Sequence, residues 1–386
     1  MIRRVPVTNA SGKTIRIRFS SKSACAVALL LAAAFGSAAA RPHTAGAKGP
    51  TFVDITWISI SNVMYELGRF GVLTDGYITR IPQSAFFGGG GGLAQTRQPY
   101  VSDVAAVTKV LTALGGPSRI DLLLTGHSHF DHSFDTPTWS KLTNAPIIGS
   151  RTTCLQAQAA GLPETRCRAV VGGERIAITD GVSMRVIRWN HSGDSTTNPE
   201  QHDPVELDAV PPIDPATGGL RAGVAEAFPN GGGNRAYLFV VDGPGGRFTW
   251  FFQNSVSLSD ISTPIVVGGV DYGAPIENLK AALKAEGVSS VDLWIGTANA
   301  GVARLLLPIL APRAYLPVHW DGLYGAFEAG VPRPYADAGL ESVLADAKVQ
   351  LLRPVQYMDK WRLDRDGVRP IANDAVKKAL GFEGAR

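Results

Sequence analysis

The sequence is poor in charged residues, and this scarcity excludes several classes of protein. Charged residues make up 18% of the 386 positions, whereas hydrophobic residues make up 45%. Such a composition excludes a coiled coil and a chain kept unfolded by its own charge, and it is typical of a compact globular protein. Repeats of fixed period are also absent, which excludes solenoids and propellers.

Beyond the N-terminus the chain has no excess of basic residues. Residues 1–40 contain six Lys and Arg residues and no acidic residue, so the formal charge of +4 becomes −2 when they are left out. A protein that binds nucleic acid usually carries a basic surface. We therefore expect no nucleic-acid partner.

Long hydrophobic runs are missing as well. The run Ala24–Phe35 is about a dozen residues long, too short to span a bilayer of about 30 Å as a helix. Basic residues precede it and the small residues 36–40 follow it, which is the pattern of a cleaved signal peptide. We predict a signal peptide over 1–40, a linker over 41–50 and a single domain over 51–386, periplasmic or secreted, with no membrane span after cleavage. An uncleaved anchor and a wrongly assigned start codon are the alternatives.

Cysteine is rare, with three residues in the chain. Cys25 lies within the predicted signal peptide and would be removed with it, which leaves Cys154 and Cys167. An even pair in an exported protein predicts a disulfide, and two buried free thiols are the alternative.

Short strands alternate with helices along the rest of the chain. The predicted strands are 52–60, 62–67, 72–74, 120–124, 182–189, 236–241, 248–253, 291–295 and 314–318, and the predicted helices are 103–114, 277–285 and 302–310. Two similar halves of this kind favour sheets covered by helices, an α/β (α+β) fold class. The segment 195–235 is rich in Pro, Gly, Asp and Asn without periodicity, and it is predicted to be a lid insertion.

The densest polar cluster follows the predicted strand 120–124 and has the sequence GHSHFDH, residues 126–132. Imidazoles and carboxylates are ligands that divalent zinc prefers, and catalytic zinc sites leave a position open for water. His127 and His129 can converge on one ion, whereas Asp131 and His132 face a neighbouring position. Chance produces such a motif about 10⁻⁴ times in a chain of this size, so the sequence predicts a centre of one or two zinc ions.

Three further residues follow apolar strands in the same way. His191 and His319 each come directly after a strand, where loops at one edge of the sheets would gather, and we predict both as metal ligands. Asp75 also ends a strand. We predict that it orients a ligand histidine, because a metal-bound imidazole usually donates its other N–H to a carboxylate or carbonyl.

The order of these residues resembles the metallo-β-lactamase superfamily over essentially the whole mature chain. The opening ITWISISNVMYELGRFGVLTDG and the ending LPVHWDGL resemble its branch of ascorbate-lactone hydrolases and N-acyl-phosphatidylethanolamine phospholipase D. The resemblance implies a four-layer αββα sandwich, a catalytic domain with its metals at one edge of two sheets. It further implies that the first metal is held by His127, His129 and His191 and the second by Asp131, His132 and His319.

By the same resemblance, a carboxylate that bridges the metals belongs at the end of the second strand of the predicted hairpin. The sequence FTWFFQNS puts Asn254 there. An amide is neutral, whereas a bridging carboxylate would cancel one unit of the positive charge of the two ions. We therefore predict that the second metal is held loosely or that one ion acts alone. A shifted register, with Asp260 as the bridging acid, is the alternative.

The expected activity is hydrolysis of a small ester, lactone or amide by a metal-bound hydroxide. Zinc lowers the pKa of bound water from about 15.7 to about 7. Asp131 would hold the hydroxide and pass on its proton, and His319 or Tyr324 would stabilise the developing oxyanion. Hydrolysis of phosphodiesters, as by a phospholipase D, is the alternative. Iron-dependent redox chemistry is less favoured, because the diiron branch typically has Glu where His129 stands. We expect a small-molecule substrate and make no prediction of the oligomeric state.

Overall fold

The computed structural model describes residues 4–8, 14–18, 49–82, 98–193, 204–221, 227–228 and 233–382. The chain divides into two units, Met1–Ala47 and Lys48–Arg386. In the first unit, strands β1 (Arg4–Thr8) and β2 (Thr14–Arg18) pair in antiparallel fashion. The apolar run of the predicted signal peptide and residues 41–48 of the predicted linker lie outside the described residues, so both remain predictions.

The second unit contains an eight-stranded sheet, which we call sheet I. Its strands are β3 (Phe52–Ser59), β4 (Asn62–Leu67), β5 (Phe70–Thr74), β7 (Leu122–Leu124), β8 (Ile147–Gly149), β9 (Cys167–Ala169), β20 (Asp359–Asp364) and β21 (Gly367–Ile371). Their spatial order is β21-β20-β3-β4-β5-β7-β8-β9. Strands β5, β7, β8 and β9 are parallel, so their C-terminal ends lie at one edge of the sheet.

A seven-stranded sheet, sheet II, faces sheet I. Its strands are β10 (Arg175–Thr179), β11 (Val182–Arg188), β13 (Arg235–Gly243), β14 (Gly246–Gln253), β17 (Leu293–Gly296), β18 (Ala314–Pro317) and β19 (Gln350–Leu351), which neighbour each other in chain order. From β14 onward the neighbours are parallel. Two short antiparallel pairs lie outside the sheets: β6 (Pro99–Tyr100) with β12 (Leu220–Arg221), and β15 (Val266–Val267) with β16 (Val270–Asp271).

Helices cover both sheets. The α-helices of the described residues are α1 (Val104–Ala113), α2 (Phe130–Ser133), α3 (Thr136–Thr143), α4 (Arg151–Ala159), α5 (Pro275–Glu286), α6 (Ala300–Leu310), α7 (Ala338–Asp346) and α8 (Asp374–Leu380). Short 3-10 turns occupy Pro117–Arg119, Glu164–Arg166 and Phe327–Ala329. None of these helices combines the length and the apolar character that crossing a bilayer requires.

The alternation of side chains along β13 shows why the layers stack as they do. Tyr237 and Phe239 pack between the sheets, whereas Leu238 and Val240 pack against α5, α6 and α7. The ring of Tyr65 in sheet I lies 5.3 Å from that of Phe239 and joins the two sheets. Helices α3 and α4 contact β7, β8 and β9 on the other side of the molecule. The predicted four-layer αββα sandwich is confirmed.

The segment predicted as a lid, 195–235, is described in part. Leu220 and Phe228 are buried in a small apolar cluster with Tyr77 and Phe134, and β12 pairs with β6. Leu220, Phe228 and strand β12 therefore pack against the rest of the domain. Residues 194–203 and the glycine run 88–92 lie outside the described residues.

The two remaining cysteines lie on one flank of sheet I. Cys154 in α4 and Cys167 at the start of β9 form a disulfide across a sequence separation of 13. The bond ties α4 to the strand beside it.

Candidate metal centre

The predicted ligands lie at the C-terminal ends of five strands that share one edge of the two sheets. Asp75 directly follows β5, and residues 127–132 follow β7. His191, Asn254 and His319 follow β11, β14 and β18 of sheet II. Strand β11 runs in the direction of β14 because two antiparallel pairings separate them. The topology therefore brings residues that are far apart in sequence to one place.

The first cluster, the three-histidine group, consists of His127, His129 and His191. Nε2 of His127 lies 3.2 Å from Nδ1 of His129 and 3.1 Å from Nε2 of His191. Nitrogens at the usual bond length around a tetrahedral zinc ion are about 3.3 Å apart. These separations fit a single ion, and all three side chains are buried.

The second cluster, the aspartate group, consists of Asp131, His132 and His319. Oδ2 of Asp131 lies 3.1 Å from Nε2 of His132 and 3.0 Å from Nε2 of His319. The two imidazole nitrogens are 3.3 Å apart, which again fits one ion. The side chain of His319 is 27% exposed and that of His132 is 0% exposed, so this group opens toward solvent at His319.

The two groups differ in charge. Burial, together with the neighbouring imidazoles, holds the pKa values of His127 and His191 well below their usual range, so both are neutral and offer lone pairs. Burial would raise the pKa of Asp131, but His132 and His319 outweigh it and hold that pKa well below its usual range. Burial also opposes a charge on His132, yet Asp131 and Asp75 raise the pKa of His132 to about 10. The side chains thus form neutral imidazoles beside a buried carboxylate–imidazolium pair.

Asp75, which the sequence predicts to orient a ligand histidine, lies behind the two groups. Its Oδ2 accepts a hydrogen bond from Oγ of Ser61 at 2.7 Å and lies 2.9 Å from Nδ1 of His132. Its Oδ1 accepts the backbone N–H of Gly126 at 2.9 Å. The carboxylate of Asp75 therefore holds both the ring of His132 and the backbone at Gly126, where the segment 126–132 begins.

Three residues at this edge have left-handed backbone conformations that side chains rarely adopt. The φ angles are 48° at Ile60, 58° at Asp75 and 65° at His319. The N–H of His319 donates to the carbonyl of Ile60 at 2.9 Å, which joins the two sheets here. Such conformations cost about 1–3 kcal/mol each and cluster at functional sites.

No family model matches the chain. Among curated proteins, a UPF0173 protein of Pyrococcus abyssi is 37% identical over 73 residues, 19% of this chain and 33% of that protein. A UPF0173 metal-dependent hydrolase of Pyrobaculum islandicum is 34% identical over 70 residues, 18% of this chain and 31% of that protein. The chain spans about a third of the length of the curated relatives it matches.

Similar solved structures include the metallo hydrolase Igni18 of Ignicoccus hospitalis, with a TM-score of 0.46 and 12% identity over 81% of this chain and 99% of that chain. Another is the metallo-β-lactamase fold protein YhfI of Bacillus subtilis, with a TM-score of 0.43 and 12% identity over 81% and 99%. The decisive observation lies in the chain itself: an αββα sandwich with two groups of His and Asp side chains at one sheet edge. The chain has the metallo-β-lactamase fold.

Within the metallo-β-lactamase fold, Asn254 departs from its predicted role. Its Oδ1 lies 3.1 Å from Nδ1 of His127, and its Nδ2 donates to Oδ2 of Asp75 at 2.8 Å. Nδ1 of His127 is on the far side of the ring from Nε2, so Asn254 stands behind the ligands and does not bridge the two groups. The prediction of a loosely held second metal, which assumed a bridging position, loses its basis. Asp260, the alternative bridging acid, instead accepts a hydrogen bond from Nδ2 of Asn190 at 2.6 Å and belongs to neither group.

The residues beside the ligands include two that sequence reasoning did not single out. Asp321 accepts the backbone N–H of Ile60 at 3.0 Å and the hydroxyl of Tyr357 at 2.8 Å, which holds the loop of His319 against sheet I. Ser61 lies in a turn and belongs to no motif, so only the structure reveals its contact with Asp75. Asp321 lies two residues after His319, and this proximity is the sequence feature that could have indicated its role.

Tyr324 and the other histidines complete the set of sequence predictions. The ring of Tyr324 stacks on that of Phe130 at 6.4 Å, beside the ligands His129 and Asp131. Burial, with a contribution from Asp131, raises the pKa of Tyr324 to about 12, so its hydroxyl stays protonated. The two remaining histidines, His43 and His202, lie outside the described residues.

Proposed function

We propose that the chain is a zinc-dependent hydrolase of a small ester, lactone or amide that acts in the periplasm or outside the cell. The observation that carries this proposal is the pair of ligand groups, because within each group the three ligand atoms lie within 4.8 Å of one another. Imidazoles with a single carboxylate are a donor set that suits zinc. The relative in Pyrobaculum islandicum is named a metal-dependent hydrolase, which agrees with this class of reaction.

The three-histidine group would hold one ion and the aspartate group the other. Zinc bound there supplies Lewis acidity, which lowers the pKa of water and polarises the oxygen of the substrate. The protein contributes a rigid frame, since Asp75 and Asn254 hold the rings from behind.

Asp131 is the side chain best suited to move a proton. His132 and His319 keep the carboxylate ionised, so it can accept a hydrogen bond from an attacking water, orient that water and pass its proton on to the leaving group. His319 is the most exposed ligand of its group and lies on the side from which a substrate would approach. The protonated hydroxyl of Tyr324 can donate a hydrogen bond to a developing oxyanion.

Aromatic rings beside the ligands support an ester or lactone more than a phosphodiester. Phe130 stacks on Tyr324, and its ring meets that of Tyr77 edge to face at 5.7 Å. Tyr77 is buried, so the partly exposed rings of Phe130 and Tyr324 form the apolar side of the site and suit the uncharged acyl portion of a substrate.

The disulfide supports the proposed location. The Cys154–Cys167 bond would persist in an oxidising compartment and would be reduced in the cytosol. Together with the basic and apolar N-terminus, it favours export.

The test begins with protein purified without added metal, whose metal content is measured by mass spectrometry. The protein is then assayed on ester, lactone, amide, phosphodiester and β-lactam substrates. We expect zinc, hydrolysis of an ester or lactone, loss of activity with a chelator, and recovery on addition of zinc chloride. Glu341→Gln, which changes an exposed carboxylate paired with Arg353, serves as the control and should remain active.

The alternatives give different results in the same experiment. Cleavage of the phosphodiester alone would favour the phospholipase-like function. Iron with a redox-active absorption band would favour the redox function. Ester hydrolysis that survives both the chelator and His132→Ala would overturn the proposal.

A further inference from the structure

Asn254 takes no direct part in the proposed reaction, but its contacts decide which ring nitrogen of a ligand faces the ion. It directly follows β14 and its side chain is completely buried. Its amide lies between His127 of the three-histidine group and Asp75, and its Nδ2 is also 3.1 Å from Nδ1 of His132 in the aspartate group. One side chain thus touches the rear of a ligand from each group.

The hydrogen-bonding capacities of its neighbours fix the orientation of the amide. The carboxylate of Asp75 only accepts, so the amide nitrogen faces it and the amide oxygen faces His127. That oxygen also only accepts, so His127 must donate from Nδ1. The tautomer with hydrogen on Nδ1 leaves the lone pair on Nε2, the atom that faces His129 and His191.

Asp75 orients an imidazole of the aspartate group in the same way, through an acceptor that faces Nδ1. Its Oδ2 is approached by Ser61, His132 and Asn254 at 2.7, 2.9 and 2.8 Å. Nδ1 of His132 therefore also faces an acceptor, and its Nε2 faces Asp131 and His319. The Asp75–Asn254 pair orients one imidazole in each group.

The surroundings require an amide of this size. A Cβ on Gly126 would overlap the Asn254 side chain, so the space on that side is already filled. An aspartate at position 254 would place a second carboxylate oxygen about where the amide nitrogen lies, 2.8 Å from Oδ2 of Asp75. Both negative groups cannot be accommodated there without the loss of a hydrogen bond or the uptake of a proton.

We propose that Asn254 is a positioning residue that holds His127 directly, and His132 through Asp75, as metal ligands through Nε2, and so couples the two groups. This inference rests on the metal binding in the proposed function, but not on the substrate. Asn254→Asp should weaken metal binding, opposite to the effect expected if residue 254 bridged the ions.

The test measures zinc affinity of the metal-free protein by competition with a chromophoric chelator. Asn254→Asp and Asn254→Ala should each bind zinc about 10–100-fold more weakly than the wild type, the usual cost of losing a residue that orients a ligand. Gln253→Glu is the matched control, because Gln253 is equally buried and adjacent but donates to the carbonyl of Thr297 instead of contacting a ligand. It should retain wild-type zinc affinity.

An exchange of the two side chains separates orientation from packing. In Asp75→Asn with Asn254→Asp, one carboxylate and one amide remain, and Asp at 254 can accept from both imidazoles. We expect the exchange to recover most of the zinc affinity lost in Asn254→Asp. In ¹⁵N NMR spectra of the zinc-loaded protein, the Nδ1–H signal of His127 should be protected from exchange in the wild type and lost or exposed in Asn254→Ala.

Several outcomes would overturn the inference. Asn254 does not position the ligands if both variants bind zinc with wild-type affinity. The same conclusion would follow from an unchanged Nδ1–H signal of His127 in Asn254→Ala. Failure of the exchange variant to recover affinity would assign the residue to packing. A wild-type protein that binds no zinc would instead contradict the proposed function, whatever the variants do.

Discussion

The metal centre and the cluster of Arg188, Glu206 and Arg235, which we call the arginine flank, both bury polar side chains, but in opposite ways. In the flank, Oε1 of Glu206 lies 2.8 Å from the guanidinium of Arg188 and 2.8 Å from that of Arg235. In the metal centre, Nε2 of His127 lies 3.1 Å from Nε2 of His191, which is also held neutral by burial. The flank pairs opposite charges, whereas the three-histidine group brings imidazole nitrogens close to one another.

This difference indicates what each region is for. Buried polar groups that satisfy one another contribute to the fold, and removing one partner leaves the other unpaired. Imidazole nitrogens that converge at about the spacing of ligands around one zinc ion gain most when a cation is bound between them. The flank should therefore matter for stability with or without metal, and the three-histidine group should matter for metal binding and activity.

The largest expected effect is on activity. Asp131→Asn and His132→Ala should lower kcat/KM on the best substrate by about 10²–10⁴-fold, because each removes a ligand and Asp131 also moves the proton. Metal content per chain, measured by mass spectrometry, should fall in both variants while circular dichroism spectra stay unchanged. Near-normal turnover by His132→Ala would break the assignment of the aspartate group.

The arginine flank should give the largest effect on stability. Glu206→Gln leaves two buried guanidinium groups without their carboxylate, and breaking a buried pair of this kind costs about 3–5 kcal/mol. Urea unfolding measures the loss, which should be the same with zinc and with a chelator. Glu341→Gln removes an exposed partner of Arg353 and should cost at most about 1 kcal/mol. Equal losses in the two variants would contradict the distinction.

The same residue predicts a dependence on pH. Burial alone would raise the pKa of Glu206, but Arg235 and Arg188 outweigh it and hold the pKa below the usual value of 4.5. Because the folded-state pKa is lowered, its stabilisation is complete above pH 4.5 and is lost as the pH falls through the lowered value. The stability difference between wild type and Glu206→Gln should therefore shrink in acid, and a difference that grows would contradict this sign.

The disulfide should have an intermediate effect on stability. It joins α4 to β9, and Glu206 accepts the backbone N–H of Arg151 at the start of the same helix. Replacing both Cys154 and Cys167 by Ser should lower the free energy of unfolding by about 3 kcal/mol, as expected for a loop of this size. Zinc affinity should stay at the wild-type value. A matching loss of zinc affinity would mean that this flank and the metal centre are not independent.

The sequence predicted the metal centre better than its supports, and the reason is physical. His127, His129, Asp131 and His132 lie in one short motif, and His191 and His319 each follow an apolar strand, so local pattern was enough to predict the six residues that the structure brings together in two groups. The contacts of Asn254, Ser61 and Glu206 depend on which face of a strand or turn meets another segment. Those contacts join residues up to 179 positions apart, and no local pattern encodes them. Segment 195–235 illustrates the same limit, since its lack of periodicity gave no indication that Leu220 and Phe228 are buried, and its role as a lid stays a prediction.

The imidazole of His129 should contribute little to the stability of the metal-free protein. His129→Leu keeps a side chain of similar size and leaves the charge pairs of the arginine flank intact, so the metal-free protein should change in stability by no more than about 1 kcal/mol, or about 2–4 °C in Tm. The wild type should gain about 2.7 kcal/mol when free zinc reaches a hundred times its Kd, and the variant should gain almost nothing. Calorimetry with a chelator and with zinc chloride measures both quantities, with Glu206→Gln as the variant that loses stability in each condition. A metal-free His129→Leu protein that is several kcal/mol less stable than the wild type would show that this imidazole holds the fold, and the contrast between the two regions would fail.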